Sequence, residues 1–82
     1  MAILVVEHSF EQPLTEDALS AAFARLDPCL KSHGASWKRS YVSADRQKMI
    51  CEFEAADAEA VRASLRAAET PFERVWVAKL YM

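Results

Sequence analysis

The stretch WKRSYVSADRQKMICEFE, residues 37–54, predicts a β-hairpin, and the hairpin decides the fold. Two runs rich in β-branched and aromatic residues, 37–43 and 48–54, flank the polar turn 44–47. A turn centred on Asp45 and Arg46 implies these cross-strand pairs: Val42 with Met49, Ser40 with Cys51, and Lys38 with Phe53. Met49, Cys51 and Phe53 then share one face. The other face is amphipathic and carries Trp37, Arg39, Tyr41, Lys48, Ile50, Glu52 and Glu54. A slip of one residue would exchange the faces.

The segments on either side of the hairpin complete a six-element pattern. A strand is predicted at 3–10, a helix from the N-cap Thr15 to the stop at Gly34, a second helix from Asp57 to Thr70-Pro71, and a last strand at 74–81. The order strand, helix, strand, strand, helix, strand is typical of the ferredoxin-like α+β sandwich. We therefore expect a single domain, residues 1–82, with a four-stranded antiparallel sheet and both helices on one face.

Pro28 lies inside the first predicted helix and allows two interpretations. The helix either bends at Pro28, or it breaks and restarts with Asp27 as a new N-cap. Leu26 and Leu30 continue one apolar stripe across the proline. That continuity favours one bent helix.

The composition excludes several classes of protein. Ten Lys and Arg against 12 Asp and Glu give a net charge of -2, which argues against nucleic-acid binding. The apolar run 2–6 is too short for a signal peptide or a membrane span, and two cysteines make no disulfide framework, so we expect a cytoplasmic protein with no membrane contact. Fifteen alanines leave a small core. We expect a homodimer that covers the open sheet face.

The centre of the chain resembles a family of small stand-alone ferredoxin-like domains, formerly of unknown function, for which nickel binding has been proposed. The residues that carry the resemblance are Trp37, Ser40, Tyr41, Val42, Asp45, Lys48, Cys51, Phe53, Glu54, Ala55 and Asp57. It extends to Val6-Glu7, to 14–16 and to 71–75, and implies dimerisation through the sheets and a nickel cofactor rather than a defined reaction. His8 stands where the family more often has Arg, and Pro28-Cys29 is peculiar to this chain. A site built from His8 or Cys29 would therefore not be inherited from the family.

Three residues on neighbouring strands are the candidate metal ligands: Glu7, His8 and Cys51. A thiolate suits nickel, zinc or copper, and an imidazole or a carboxylate would complete the set. Only one of Glu7 and His8 can share the face of Cys51, because neighbours on a strand point in opposite directions. The alternatives are a buried structural Cys51 and an ion pair between Glu7 and Lys48, Arg39 or Lys79.

Two further pairs allow functional interpretations. Cys29 and His33, four residues apart on one helix, can chelate a metal, but we favour a packed Cys29 and a His33 that donates to the carbonyls of the helix end. Trp37 and Tyr41 can line a small-molecule pocket between sheet and helices or at the dimer interface, and aromatic residues are just as common at plain dimer contacts. That pocket would make the protein a ligand-binding or enzymatic dimeric α+β barrel. The sequence leaves open whether the protein is an enzyme.

Overall fold

The predicted ferredoxin-like architecture is confirmed in the computed structural model, which describes residues 1–82. The elements are β1 (Ala2–Ser9), α1 (Glu16–Ser32), β2 (Ser36–Val42), β3 (Lys48–Ala55), α2 (Ala58–Ala67) and β4 (Arg74–Ala78). The four strands form one sheet in the order β2-β3-β1-β4, and every neighbouring pair is antiparallel. The last strand stops at Ala78, three residues before its predicted end.

Both helices begin at the predicted residues and α1 also ends as predicted, but α2 ends at Ala67, before the predicted stop at Thr70-Pro71, and Glu69 takes the left-handed conformation after it. Thr15 accepts a hydrogen bond from the backbone N–H of Ala18 at 3.1 Å, and Asp57 caps α2 in the same way. Gly34 takes the left-handed conformation, with φ of 68°, directly after the cap residue His33. α1 runs through Pro28 without interruption, so a break at Asp27 is excluded.

The two faces of the sheet differ in cover. On β1, Leu4, Val6 and His8 lie on the face that the helices cover, and all three are buried. Ile3, Val5 and Glu7 alternate with them and lie on the opposite, open face. The core between sheet and helices is built from Leu4, Val6, Leu26, Leu30, Ala35, Met49, Cys51, Phe53, Ala55, Val61, Leu65, Ala68 and Val75. Neither helix combines the length and the apolar character that crossing a membrane requires.

The hairpin register agrees with the prediction only near the turn. Val42 pairs with Met49 and Ser40 pairs with Cys51, as predicted. A β-bulge between Trp37 and Arg39 inserts one extra residue into β2, so Trp37, and not Lys38, lies opposite Phe53. The predicted position of Trp37 on the open face is therefore wrong. Trp37 lies on the helix-covered face.

Candidate metal centre

Glu7 lies on the open face of the sheet, where β4 supplies its partners. The indole Nε1 of Trp76 donates to Glu7 Oε2 at 2.7 Å, and the Arg74 guanidinium lies 3.5 Å from Glu7 Oε1. The expected ion pairs of Glu7 with Lys48, Arg39 or Lys79 are not formed, because the register brings Arg74 opposite Glu7 instead. The carboxylate at the end of an apolar strand is thus compensated by neighbours on β4.

His8 lies on the helix-covered face, and its ring is held from two sides. Nδ1 donates to the carbonyl oxygen of Pro71 at 2.8 Å, since a carbonyl can only accept. The ring of Phe10 stacks parallel to the imidazole, with 6.2 Å between the ring centroids. Burial lowers the pKa of His8, although the Pro71 hydrogen bond and the charge of Glu73 act in the opposite direction. The imidazole is therefore neutral at pH 7, with its proton on Nδ1.

The second ring nitrogen of His8 keeps a free lone pair. Pro71 is the one hydrogen-bond partner of the ring. No fully buried side-chain nitrogen or oxygen lacks a partner, so Nε2 is slightly accessible, although only 5% of the His8 surface is exposed. An unprotonated Nε2, oriented by a backbone carbonyl on the other nitrogen, is the form in which histidine binds metals.

Cys51 is buried, with 2% of its surface exposed, and it ends a chain of hydrogen bonds. The Trp37 indole donates to the Ser40 hydroxyl at 2.9 Å, and that hydroxyl donates to Cys51 Sγ at 2.9 Å. Burial raises the pKa of the Cys51 thiol, and the Ser40 hydrogen bond partly opposes this effect. The thiol is protonated at pH 7 and packs as part of the core.

The three predicted ligands do not converge within one chain. Glu7 is on the open face, while His8 shares the helix-covered face with Cys51, as the alternation along β1 requires. On that face His8 turns to Pro71, ahead of β4, and the thiol of Cys51 meets a hydroxyl of β2. The chain contains no group of three His, Cys, Asp or Glu residues that could hold a metal. The His8 imidazole can bind a metal through Nε2, but a single chain does not contain a complete set of metal ligands.

Trp37 and Tyr41 lie on opposite faces of the sheet and cannot line one pocket. Trp37 contacts Phe23 of α1, with 4.9 Å between the ring centroids. Tyr41, opposite Ile50, lines a groove of about 500 Å³ on the open face. Trp37 alone of the two borders a groove of about 480 Å³ beside α1, lined also by Phe23 and Leu30, while the space behind it is filled by the core, in which Phe53 is fully buried.

Three contacts of these residues were not predicted from the sequence: those of Pro71, Ser40 and Trp76. The predicted pairing of Ser40 with Cys51 already contained the signal for the hydroxyl–thiol contact. Pairing β4 with β1 in the predicted topology would likewise have brought residues 74–76 close to Glu7. Pro71 carried no such signal, because its carbonyl reaches His8 across 63 residues of sequence.

Comparisons with known proteins agree with this architecture. The chain aligns over its whole length with the crystal structure of SCO4226 from Streptomyces coelicolor A3(2), with a TM-score of 0.88, 18% identity, and cover of 99% of this chain and 100% of the other. This likeness supports the fold alone. A search of curated proteins gave no match. The family described as nickel responsive protein SCO4226-like matches residues 4–77. The chain therefore belongs to the SCO4226-like family of nickel-responsive proteins.

Proposed function

We propose that this protein binds nickel and that Nε2 of His8 is the first ligand. The observation that carries the proposal is the hydrogen bond of 2.8 Å from His8 Nδ1 to the Pro71 carbonyl. It holds the tautomer and the ring orientation that a metal ligand needs. Imidazole suits nickel among the divalent metals. Membership in a nickel-responsive family supports nickel as the metal, whereas the choice of His8 as the ligand rests on its geometry alone.

Burial prepares the His8 ring for metal at neutral pH. A proton on Nε2 competes with a metal ion, and burial lowers the pKa of the ring and so removes that competitor. The ring also loses little freedom on binding, because the parallel ring of Phe10 already restricts it. Because the family more often has Arg at this position, His8 would be a ligand specific to this chain.

The other candidate ligands differ in how readily they can reach a metal bound to Nε2 of His8. Glu73 is exposed, and its charge acts on His8, so its carboxylate is the proposed neighbour of Nε2. Cys51 could join only by turning away from Ser40 and losing a proton that burial helps to retain. Glu7 faces the opposite side of the sheet, so it would serve only together with groups of a second copy. We assign no catalytic reaction to this site.

Nickel binding to matched variants tests the proposal. The change His8→Asn keeps an amide donor near the position of Nδ1 and removes Nε2, so it separates loss of the ligand from loss of the Pro71 contact. We expect calorimetric titration with Ni²⁺ to show one site fewer in His8→Asn than in wild type, and a weaker site in Glu73→Gln. Equal stoichiometry and affinity in wild type and His8→Asn would refute the assignment.

We also propose that the protein forms a homodimer through the open sheet face, in the cytoplasm, where its two free cysteines stay reduced. Support comes from the ion pairs and the apolar side chains on that face. Its ion pairs are Lys38–Glu54 at 3.2 Å, Arg39–Glu52 at 3.7 Å and Arg74–Glu7 at 3.5 Å. Ile50 and Trp76 lie among them with over 40% of their surfaces exposed. A partly apolar face whose three carboxylates are all paired can pack against its own copy. Sedimentation equilibrium should give twice the chain mass.

A second function is favoured by the groove beside Tyr41. Its apolar floor includes Ile3 and Val5, and its charged rim includes Lys38, Arg39 and Glu52. We propose as the alternative a dimeric α+β barrel that holds a small molecule between the two sheets. The dye 8-anilinonaphthalene-1-sulfonate should then bind to wild type and bind less to Tyr41→Ala. Binding that Tyr41→Ala leaves unchanged would remove this alternative.

A further inference from the structure

The groove on the open face of the sheet lies between β2 and the residues with which the chain leaves β4. Residues 78–80 line one side of it, and residues 38–41 of β2 line the other. β1 and β3 lie between these sides and form the floor. Neighbouring strands are about 4.8 Å apart, so the two sides are separated by about 14 Å. The volume of about 500 Å³ is that of a small-molecule site.

Apolar side chains line the floor and both sides of this groove. Ile3 and Val5 of β1 lie in the floor. Tyr41 on β2 and Leu80 beyond β4 lie on the two sides, with 59% and 73% of their surfaces exposed. A ligand that covers these side chains removes apolar surface from water, which is favourable. The groove therefore favours a ligand with an apolar body.

Two of the three cations that line the groove already have counter-ions. Lys38 pairs with Glu54 at 3.2 Å, and Arg39 pairs with Glu52 at 3.7 Å. Lys79 is the third cation, and no ion pair of the protein includes it. Three cations against two carboxylates give the groove a net charge of +1, in a chain whose net charge is -2. The groove can thus take up one further negative charge, beside Lys79.

The same charges distinguish between classes of ligand. Glu52 and Glu54 already have partners on β2, so an ammonium group of a ligand finds no free carboxylate. A ligand with two negative charges brings the second one close to these glutamates, which repel it. A neutral ligand gains no charge-assisted hydrogen bond from Lys79. One carboxylate on an apolar body satisfies both the free cation and the exposed apolar side chains.

We infer that the open-face groove binds an apolar monocarboxylate, with its carboxylate on the ammonium group of Lys79 and its hydrocarbon or aromatic body on Ile3 and Val5. The inference rests on the small-molecule alternative proposed above and names its class of ligand. It is independent of nickel and of His8. Pairing of two open faces would enclose the ligand and strengthen its ion pair with Lys79, because water is then excluded from the pair.

Amide signals in ¹H–¹⁵N spectra of the metal-free protein locate and measure binding. Octanoate, 1-octanol and octylammonium carry the same chain and differ in charge, so they separate the apolar contribution from that of Lys79. We expect octanoate to shift the signals of Ile3, Val5 and Tyr41, and to bind at least about tenfold more tightly than the other two compounds. The signal of Phe23, which packs on Trp37 away from the open face, should not shift.

Two lysine variants assign the charge. Lys79→Gln removes the cation and keeps most of the side chain, so its affinity for octanoate should fall to that for octanol. Lys31→Gln is the matched control, because Lys31 pairs with Asp27 on α1, outside the groove, and it should bind octanoate as wild type does. Both lysines are exposed, so neither substitution removes a core contact.

The outcomes separate the class of ligand from the existence of the site. The inference is overturned if octanol or octylammonium binds as tightly as octanoate, or if Lys79→Gln binds octanoate as wild type does. Shifts at the groove with no preference for the anion overturn the monocarboxylate and leave the small-molecule alternative standing. Groove signals that none of the three compounds shifts overturn both.

Discussion

The imidazole Nδ1 of His8 donates to the carbonyl oxygen of Pro71 at 2.8 Å and so links the end of β1 to the segment that precedes β4. Nearby, the backbone N–H of Glu73 donates to the carbonyl of Glu7 at 2.8 Å. The contact therefore acts on both packing and chemistry. It holds the start of β4 in place. It also keeps the proton of the ring on Nδ1, so the lone pair of Nε2 is free to bind a metal.

The lowered pKa of His8 predicts how stability depends on pH. The unfolded chain binds a proton at this ring near pH 6.5, and the folded chain binds it only at lower pH. Between these two values the unfolded state holds more protons, so stability falls as the pH is lowered from 6.5 through the folded pKa. Urea unfolding at pH 7.5 and 5.5 should show a larger loss for wild type than for His8→Asn. Equal losses in the two proteins would contradict the burial of a neutral His8.

The hydrogen-bond chain from Trp37 to Cys51 predicts the effect of Ser40→Ala. The variant removes the donor to Cys51 Sγ and the acceptor for the indole N–H, which should cost about 1 kcal/mol of unfolding free energy. Because the Ser40 hydrogen bond lowers the pKa of the thiol, that pKa should rise further in the variant. Alkylation of Cys51 against pH, with Cys29→Ser in both proteins, measures the shift. A pKa that stays the same or falls would contradict the assigned contact.

The hairpin turn predicts a difference between two substitutions of Arg46. This residue has φ of 61°, in the left-handed region, and its Nε donates to the Leu14 carbonyl at 2.5 Å. Both Arg46→Gly and Arg46→Ala lose that contact, but only glycine adopts this φ without strain. Arg46→Gly should therefore be the more stable variant by about 1 kcal/mol in urea unfolding. If Arg46→Ala is equally stable, the turn does not keep this conformation.

The proposed dimer predicts the result of placing a charge at Ile50. This side chain lies on β3, opposite Glu7 on one side and Tyr41 on the other, and 43% of its surface is exposed. Ile50→Glu would bring an unpaired carboxylate into each half of the proposed interface. Sedimentation equilibrium should show a monomer. Ala21→Glu, on the exposed side of α1, is the matched control and should remain a dimer.

Helix ends can be predicted from the sequence because capping residues act locally, whereas the β-bulge cannot. Thr15, Asp57 and Gly34 act on the backbone within three residues of themselves, and each marks a helix end where expected. The bulge beside Lys38 has no such signal, because it depends on how β2 packs against α1 and β3. That one inserted residue moves Trp37 from the open face to the contact with Phe23.

The candidate site was less predictable, because its partners are distant in sequence. Alternation along β1 correctly separates Glu7 from His8, but it cannot say which groups meet each side chain. Pro71 is predicted to stop the second helix, which in fact ends earlier, at Ala67, while the carbonyl of Pro71 is the partner of His8 through tertiary packing. Similarly, the thiol of Cys51 is turned to Ser40 and away from the predicted ligand set.

The most direct test of nickel binding by His8 is the ¹⁵N spectrum of its ring during titration with Ni²⁺. Before metal is added, we expect a protonated Nδ1 and an unprotonated Nε2, the tautomer that the Pro71 hydrogen bond requires. Paramagnetic Ni²⁺ at substoichiometric amounts should then broaden the Nε2 resonance of His8. A proton on Nε2 in the metal-free protein, or a His8 signal that excess Ni²⁺ leaves unchanged, would rule out His8 as the nickel ligand.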